Sequence, residues 1–290
     1  MNKKELSLTS EEATNLANQL KAELQKGDIP FANEARISQI IAGLGDKRGL
    51  IRRTFTESLG AIGKPAIPLL RKALLKHSNV TVRRASAKAL KLAGDPSVLP
   101  DLLQALINDK DPVVQGSAAA AMAIFGEEAV KHLLAILVSP TSTALQSGLA
   151  TWGLSFIGAE APNALREAAQ SKNPSIKAAA ISALGEQIQY FEDDAAKELV
   201  LNALEDEAIE VRAEATALLG KLQEPNWATP FLLKKLSDVN TAVRKNAVLA
   251  LMKLKTTEVV DELQRKSITE NDPDVINVLE LAIKQLNRIK

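Results

Sequence analysis

Asn79-Val80-Thr81-Val82-Arg83-Arg84-Ala85-Ser86-Ala87-Lys88-Ala89-Leu90 decides the architecture. Asn79 has the short polar side chain that caps the free backbone N–H groups at a helix start. Val82 then opens an alanine-rich helix, whose small residues let a neighbouring axis come close. The phrase returns along the chain as an aliphatic residue, usually followed by a basic or amide one: Ile51-Arg52, Val82-Arg83, Val114-Gln115, Leu145-Gln146, Ile176-Lys177, Val211-Arg212, Val243-Arg244 and Val275-Ile276. The spacings are 31, 32, 31, 31, 35, 32 and 32 residues. A period in this range marks stacked helical units, each burying its apolar face only against its neighbours.

The punctuation between the phrases agrees. Asn79, Asp111, Asn173, Asn240 and Asp272 stand three residues before the aliphatic as candidate caps, and Pro112, Pro174 and Pro273 occupy the first helical position, where proline is best tolerated. Gly63, Gly94, Gly126 and Gly158 follow the aliphatic by twelve or thirteen residues, where a left-handed turn ends a helix. Ile188, Gln223, Lys255 and Asn287 hold that place in later units, which must end differently; the extra residues at 187–194 predict a longer loop. Each unit also has a first, amphipathic helix, as in Lys64-Pro65-Ala66-Ile67-Pro68-Leu69-Leu70-Arg71-Lys72-Ala73-Leu74-Leu75. Thr9 or Ser10 ahead of Glu12 reads as a capping box for an extra helix over 9–25. This paired-helix pattern resembles HEAT repeats. The expectation is an all-α, right-handed α-α superhelix of about eight helix pairs, with a tip and capping helix at 1–30 and the solenoid at 31–290.

Composition narrows the chemistry. Hydrophobic residues are 46% and aromatics 3%, so the core is Ala, Leu, Ile and Val. No cysteine is present, which excludes disulfides, thiol nucleophiles and thiolate metal sites supplied by this chain. The opening MNKKELSLTSEEATNL lacks the apolar core of an export signal, and no apolar run is long enough to span a bilayer, so a cytoplasmic protein is expected. His77 and His132 have no partner at metal-ligand spacing, and no phosphate-binding glycine loop or nucleophile–base pair stands out. No catalytic residue, metal or cofactor is therefore assigned from the residues themselves.

Two departures from the repeat locate candidate binding surfaces. Residues 46–91 carry twelve Lys or Arg against two acids, and residues 186–214 carry ten acids against two basic residues, although the net charge is only +1. Such a field steers and orients a charged partner. Arg53 and Arg84 hold equivalent places in successive units; with Arg52 and Arg83 they form a candidate anion or acidic-partner site. Arginine directly after the aliphatic also suits a structural ladder to the next unit, which would engage Arg52, Arg83, Arg212 and Arg244. Nucleic acid is not expected, because aromatics do not interleave the basic residues and the acidic segment repels a polyanion. The second departure is the absence of charge over 112–126 and 132–159. Gln115, Gln146, Thr151 and Trp152 are expected on or beside a concave wall that docks a protein partner, with Phe156 and Met122 nearby.

The phrases Thr151-Trp152-Gly153-Leu154-Ser155-Phe156-Ile157-Gly158 and Ala183-Leu184-Gly185-Glu186-Gln187-Ile188-Gln189 resemble cyanobacterial proteins of the phycobilisome-lyase HEAT-like repeat family. The resemblance implies a bilin lyase acting on phycobiliproteins, a non-catalytic relative in phycobilisome breakdown and maintenance or in bilin chaperoning, or a partner of the iron–sulphur assembly protein IscA. In the last case, a chain without cysteine implies that the partner ligates any cluster. Tryptophan and tyrosine are limited to Trp152, Tyr190 and Trp227, fewer than a tetrapyrrole groove calls for. The leading expectation is accordingly a non-enzymatic scaffold for a phycobiliprotein or iron–sulphur assembly protein, and the alternative is a bilin lyase or chaperone with bilin as its ligand.

Overall fold

The computed structural model describes residues 6–30 and 33–289. Residues 1–5 of the expected tip, and the start of the expected solenoid at 31–32, lie outside the described residues. Eighteen α-helices and five short 3-10 turns account for the secondary structure there, with no strand. No helix among the described residues is long and apolar enough to cross a membrane.

The chain divides into two compact units, Met1–Gly153 and Leu154–Lys290. The first holds α1 (Ser10–Gln25), α2 (Glu34–Gly43), α3 (Gly49–Ile62), α4 (Ile67–Lys76), α5 (Val80–Ala93), α6 (Leu99–Asn108), α7 (Pro112–Met122), α8 (Glu127–Val138) and most of α9 (Ala144–Ile157). The second holds α10 (Pro162–Ala168), α11 (Pro174–Ala183), α12 (Gly185–Phe191), α13 (Asp194–Ala203), α14 (Ile209–Leu219), α15 (Pro225–Lys235), α16 (Thr241–Lys253), α17 (Val260–Thr269) and α18 (Pro273–Asn287). The helices pair as the repeat requires. In the first unit α3, α5 and α7 pack in succession; in the second, α11, α14, α16 and α18 do the same. Each pair buries its aliphatics, among them Leu59, Leu74, Leu90 and Leu106 in the first unit and Leu219, Leu251 and Leu279 in the second.

The start signals act as the sequence indicates. Thr9 and Glu12 form a reciprocal capping box on α1. Asn79, Asp111, Asn173, Asn240 and Asp272 each accept backbone N–H groups at the start of α5, α7, α11, α16 and α18. Each such cap is worth about 1 kcal/mol. Gly94 ends α5 in the left-handed conformation at φ 67, and Gly63, Gly126 and Gly158 also have positive φ. Lys255 adopts φ 56 without being glycine.

Residues 187–194 correct one expectation. Most of the predicted longer loop is the short helix α12, closed by Glu192 at φ 50. No Gly or Pro interrupts residues 186–192. Gln187 and Ile188 are buried, and the Gln187 amide reaches the Gly158 carbonyl at 3.4 Å. Burial of Ile188 favours the turn, against the cost of a non-glycine residue at positive φ and of a buried Gln187 side-chain oxygen with no hydrogen-bond partner among the described residues.

A ladder of charge-assisted hydrogen bonds ties the loops together within each unit. Arg83 forks onto Asp109 at 2.7 and 3.0 Å and also reaches the His77 carbonyl at 3.0 Å. Arg212 repeats this with Asp238 and the Asp206 carbonyl, and Arg244 with Glu270 and the Asp238 carbonyl. Lys177 supplies a single bond to Asp206 at 2.7 Å. The carboxylates also accept backbone N–H groups of their own loops, as Asp109 does from Asp111 and Asp238 from Asn240. Arg244 holds the Glu270 carboxyl down to about 2 from its ordinary 4.5, against the opposing effect of burial. Because the folded value is the lower one, this pairing stabilises the fold above about pH 4.5 and is lost as pH falls toward 2, to the extent of about 3 kcal/mol. Glu270→Gln should therefore lower the unfolding free energy by about 2–3 kcal/mol at pH 7, with the gap from wild type narrowing below pH 4.5 in urea titrations. A gap that stays constant down to pH 2.5 would show that the ionised rung is not its source.

Candidate functional site

The helices of the first unit leave an open groove of about 1130 Å³ along α3, α5 and α7. Helical spacing places its side chains. From α3 come Arg53 and, one turn on, Glu57; from α5 come Arg84, Lys88 and Lys91; from α7 come Val113, Gly116 and Ala120. The floor is made of small or apolar residues, including Ala85, Leu92 and Ala121, and six cations face two carboxylates, Asp46 and Glu57. Lys47, Lys88 and Lys91 have no ion-pair partner among the described residues. The groove is thus apolar below and positive at its rim. α7 meets α9 at Gly116, where a Cβ would lie 3.8 Å from Leu149, so side-chain bulk is absent on that flank too.

The four arginines of the expected anion site do not share one role. Arg53 is 74% exposed and, among the described residues, pairs only with Glu57 on its own helix, at 2.6 Å. Such an i,i+4 pair in solvent contributes about 0.3–0.5 kcal/mol. Arg84 makes two-pronged contact with Asp111 at 3.1–3.2 Å, and Asp111 is the N-cap of α7. Burial would raise the Asp111 carboxyl, but the Val114 N–H and the Arg84 guanidinium outweigh it and keep it below the usual range. Arg83 is withdrawn into the ladder with Asp109. Arg52 lines the groove while donating to the Asp46 carbonyl at 2.6 Å.

The uncharged centre also divides. Gln146 is 5% exposed, a correction to its expected place on the wall. Its amide donates to the Ile107 carbonyl at 2.7 Å and accepts from the Thr143 N–H, so it replaces a charged rung inside the fold. Gln115 is half-buried and donates to the Asp109 carbonyl at 2.8 Å, the same six-residue reach that Arg83, Arg212 and Arg244 make. Met122, expected near the wall, is fully buried core. Thr151 is half-buried, and Trp152 is 46% exposed. Lys88, Lys91 and Glu57 were not singled out from sequence as site residues. The available signal was helical spacing: Lys88 and Glu57 stand one turn beyond Arg84 and Arg53, and Lys91 two turns beyond Arg84. Among the described residues no three His, Asp or Glu converge as metal ligands would.

These contacts separate two arginines that look alike in sequence. Asp111→Ala removes both the α7 cap and the Arg84 partner and should cost about 1–2 kcal/mol in chemical denaturation. Arg53→Ala should change stability by less than about 0.5 kcal/mol. Equal losses from the two substitutions would contradict the division.

A model of HEAT repeats matches residues 67–152 and 197–284, and a model of the PBS lyase HEAT-like repeat matches residues 51–76. The bilin biosynthesis protein MpeU of Synechococcus sp. (strain WH8020) is 46% identical over 280 residues, covering 97% of this chain and 94% of that protein. The uncharacterised phycocyanin operon protein Z of Pseudanabaena tenuis (strain PCC 7409) is 31% identical over 163 residues, covering 52% of this chain and 77% of that one. Among solved structures, importin β aligns over 94% of this chain and 42% of its own length, with a TM-score of 0.53 at 13% identity, a likeness of fold alone. With its paired helices, its repeat matches and its 46% identity to MpeU over nearly the whole chain, the chain belongs to the HEAT-repeat proteins and, within them, to the family of that bilin biosynthesis protein.

Proposed function

We propose that this protein is a bilin lyase-type factor: it holds an open-chain tetrapyrrole in the groove of the first unit while a phycobiliprotein subunit docks beside it. The observation that carries this reading is the 46% identity, over 97% of the chain, to a protein named for bilin biosynthesis. It moves the weight from the pure scaffold expected from sequence to the bilin alternative, and from an iron–sulphur partner to a phycobiliprotein. The groove suits the ligand. Its volume of about 1130 Å³ lies just above the range of ordinary small-molecule sites, which run to about 1,000 Å³, as an open groove for a large ligand would. Its apolar floor fits a long conjugated body, and its cations fit a ligand that also carries carboxylates.

The chain's own residues would act by positioning. Fixing one end of a flexible chromophore turns its encounter with a protein nucleophile into an oriented one. With no cysteine in this chain, any thiol that becomes joined to the bilin is the partner's. The partner would approach over the uncharged surface that includes Thr151 and Trp152, where the absence of charge lowers the desolvation cost of an apolar contact. Trp152, already 46% exposed, supplies the aromatic contact favoured at such interfaces.

The test combines purified protein, a bilin and an apo-phycobiliprotein. The expected result is faster appearance of bilin that stays with the apoprotein through denaturing electrophoresis, relative to bilin and apoprotein alone. Bilin carried only non-covalently would support the chaperone reading instead, and no spectral change on mixing bilin with the pure protein would sink both. Thr151→Arg should cut apoprotein capture at least tenfold while leaving the thermal midpoint within a few degrees, since Thr151 is only half-buried and a long arginine side chain can carry its charge out to solvent. Undiminished capture by Thr151→Arg would move the docking surface elsewhere.

A further inference from the structure

Arg53 and Arg84 occupy equivalent positions on α3 and α5, and both line the same groove. Arg84 is committed to the N-cap of α7 through Asp111. Among the described residues Arg53 is tied only to Glu57, on a helix face where both side chains are open to solvent. Lys88 stands on α5 where Glu57 stands on α3, and it is exposed with no ion pair among the described residues. The groove therefore offers two exposed cations, one held weakly by a carboxylate of its own helix and one with no ion pair among the described residues, above a floor of small and apolar side chains.

We infer that Arg53 and Lys88 form a subsite for the carboxylates of an apolar, elongated dicarboxylate, and that Glu57 is an internal competitor which the ligand displaces from Arg53. The inference rests on the bilin reading above, because an open-chain tetrapyrrole bearing two propionates is such a ligand. Exchange is favourable for three reasons. The existing pair is screened by solvent, so little is lost when it opens. A ligand whose body covers the Leu92 and Val113 side excludes water from the guanidinium, which strengthens the new ion pair. A guanidinium also matches a carboxylate in a two-pronged geometry, whereas an ammonium acts as a point charge. Arg53 would thus set the orientation of one carboxylate, and Lys88 would neutralise the other.

The probes are biliverdin and its dimethyl ester, in which both propionates are masked, titrated into the full-length protein by visible absorbance and circular dichroism. For the wild type, the free acid should bind about tenfold tighter than the ester, with a difference that shrinks at high salt. Lys88→Ala and Arg53→Ala should each weaken the acid about five- to tenfold and leave the ester within twofold. Glu57→Gln should do the opposite: it frees Arg53 and should tighten the acid about threefold while not tightening the ester. A merely structural Arg53–Glu57 pair predicts that Glu57→Gln leaves acid binding unchanged or weaker. Far-UV circular dichroism and thermal melts of the three variants check folding; all three positions are on the groove surface, so midpoints within a few degrees of wild type are expected. Equal binding of acid and ester, or indifference to Lys88→Ala and Glu57→Gln, would overturn the subsite while leaving bilin binding in place. Absence of binding by either probe would overturn the bilin reading itself.

Discussion

The fold depends on how one inter-helix loop is fastened to the next. Arg83, Arg212 and Arg244 each sit one residue past the buried aliphatic that opens a second helix, and each reaches both its own loop carbonyl and the carboxylate of the following loop. A repeat of two helices buries only part of its apolar surface alone, so its stability is shared with its neighbours. The forked guanidinium sets the register in which that burial occurs. It also accounts for the loop composition, since the same carboxylates accept the backbone N–H groups that a tight turn leaves open. Where the charged rung is missing, amides take over: Gln115 keeps the bond to its own loop, and Gln146 reaches back to Ile107.

That substitution explains why the centre of the chain is free of charge without being polar waste. A neutral rung needs no carboxylate in the next loop, and residues 139–143 read Ser-Pro-Thr-Ser-Thr. The wall of α7 and α9 is then built from Gly, Ala, Ser and Thr, and close helix contact becomes possible. The same economy of side-chain volume recurs at Gly220 in the second unit, where a Cβ would lie 2.6 Å from Ala250 on α16. Small residues in this protein bring helices together, and the space they leave on the groove side of α7 is part of what gives the first unit a floor.

Electrostatics in the groove follow from the same repeat geometry. The ladder uses the position just after the aliphatic, so the next position faces outward and is free to vary. In α3 and α5 it is Arg53 and Arg84; in α7 it is Gly116. One of the two arginines is absorbed by the capping carboxylate of the following helix, and the other is opposed only by its own helix. A run of twelve basic residues in sequence therefore reduces, in space, to a few cations on one side of an apolar trough.

The helical class, the repeat period, the caps at Asn79, Asp111, Asn173, Asn240 and Asp272, and the positive-φ glycines were all decided by the sequence, because each is a local property: periodicity, capping chemistry and backbone freedom act over a few residues. The family was legible too, since the repeat phrases carry it. What the tertiary structure decided was the use of each side chain. Arg83 and Arg84 are neighbours in sequence, yet one forks onto Asp109 and the other onto Asp111. Gln146 looked like a surface amide and is buried. Lys88 and Glu57 looked like ordinary solvated charges and line the groove. Residues 187–194 looked like a loop, and most of them are a helix that buries Ile188 and closes at Glu192 without a glycine. These outcomes depend on contacts between residues some thirty positions apart: the place after the aliphatic marks Arg83 for the ladder, but no local pattern encodes that the α7 cap Asp111 also holds Arg84 while Arg53 is left with Glu57 of its own helix.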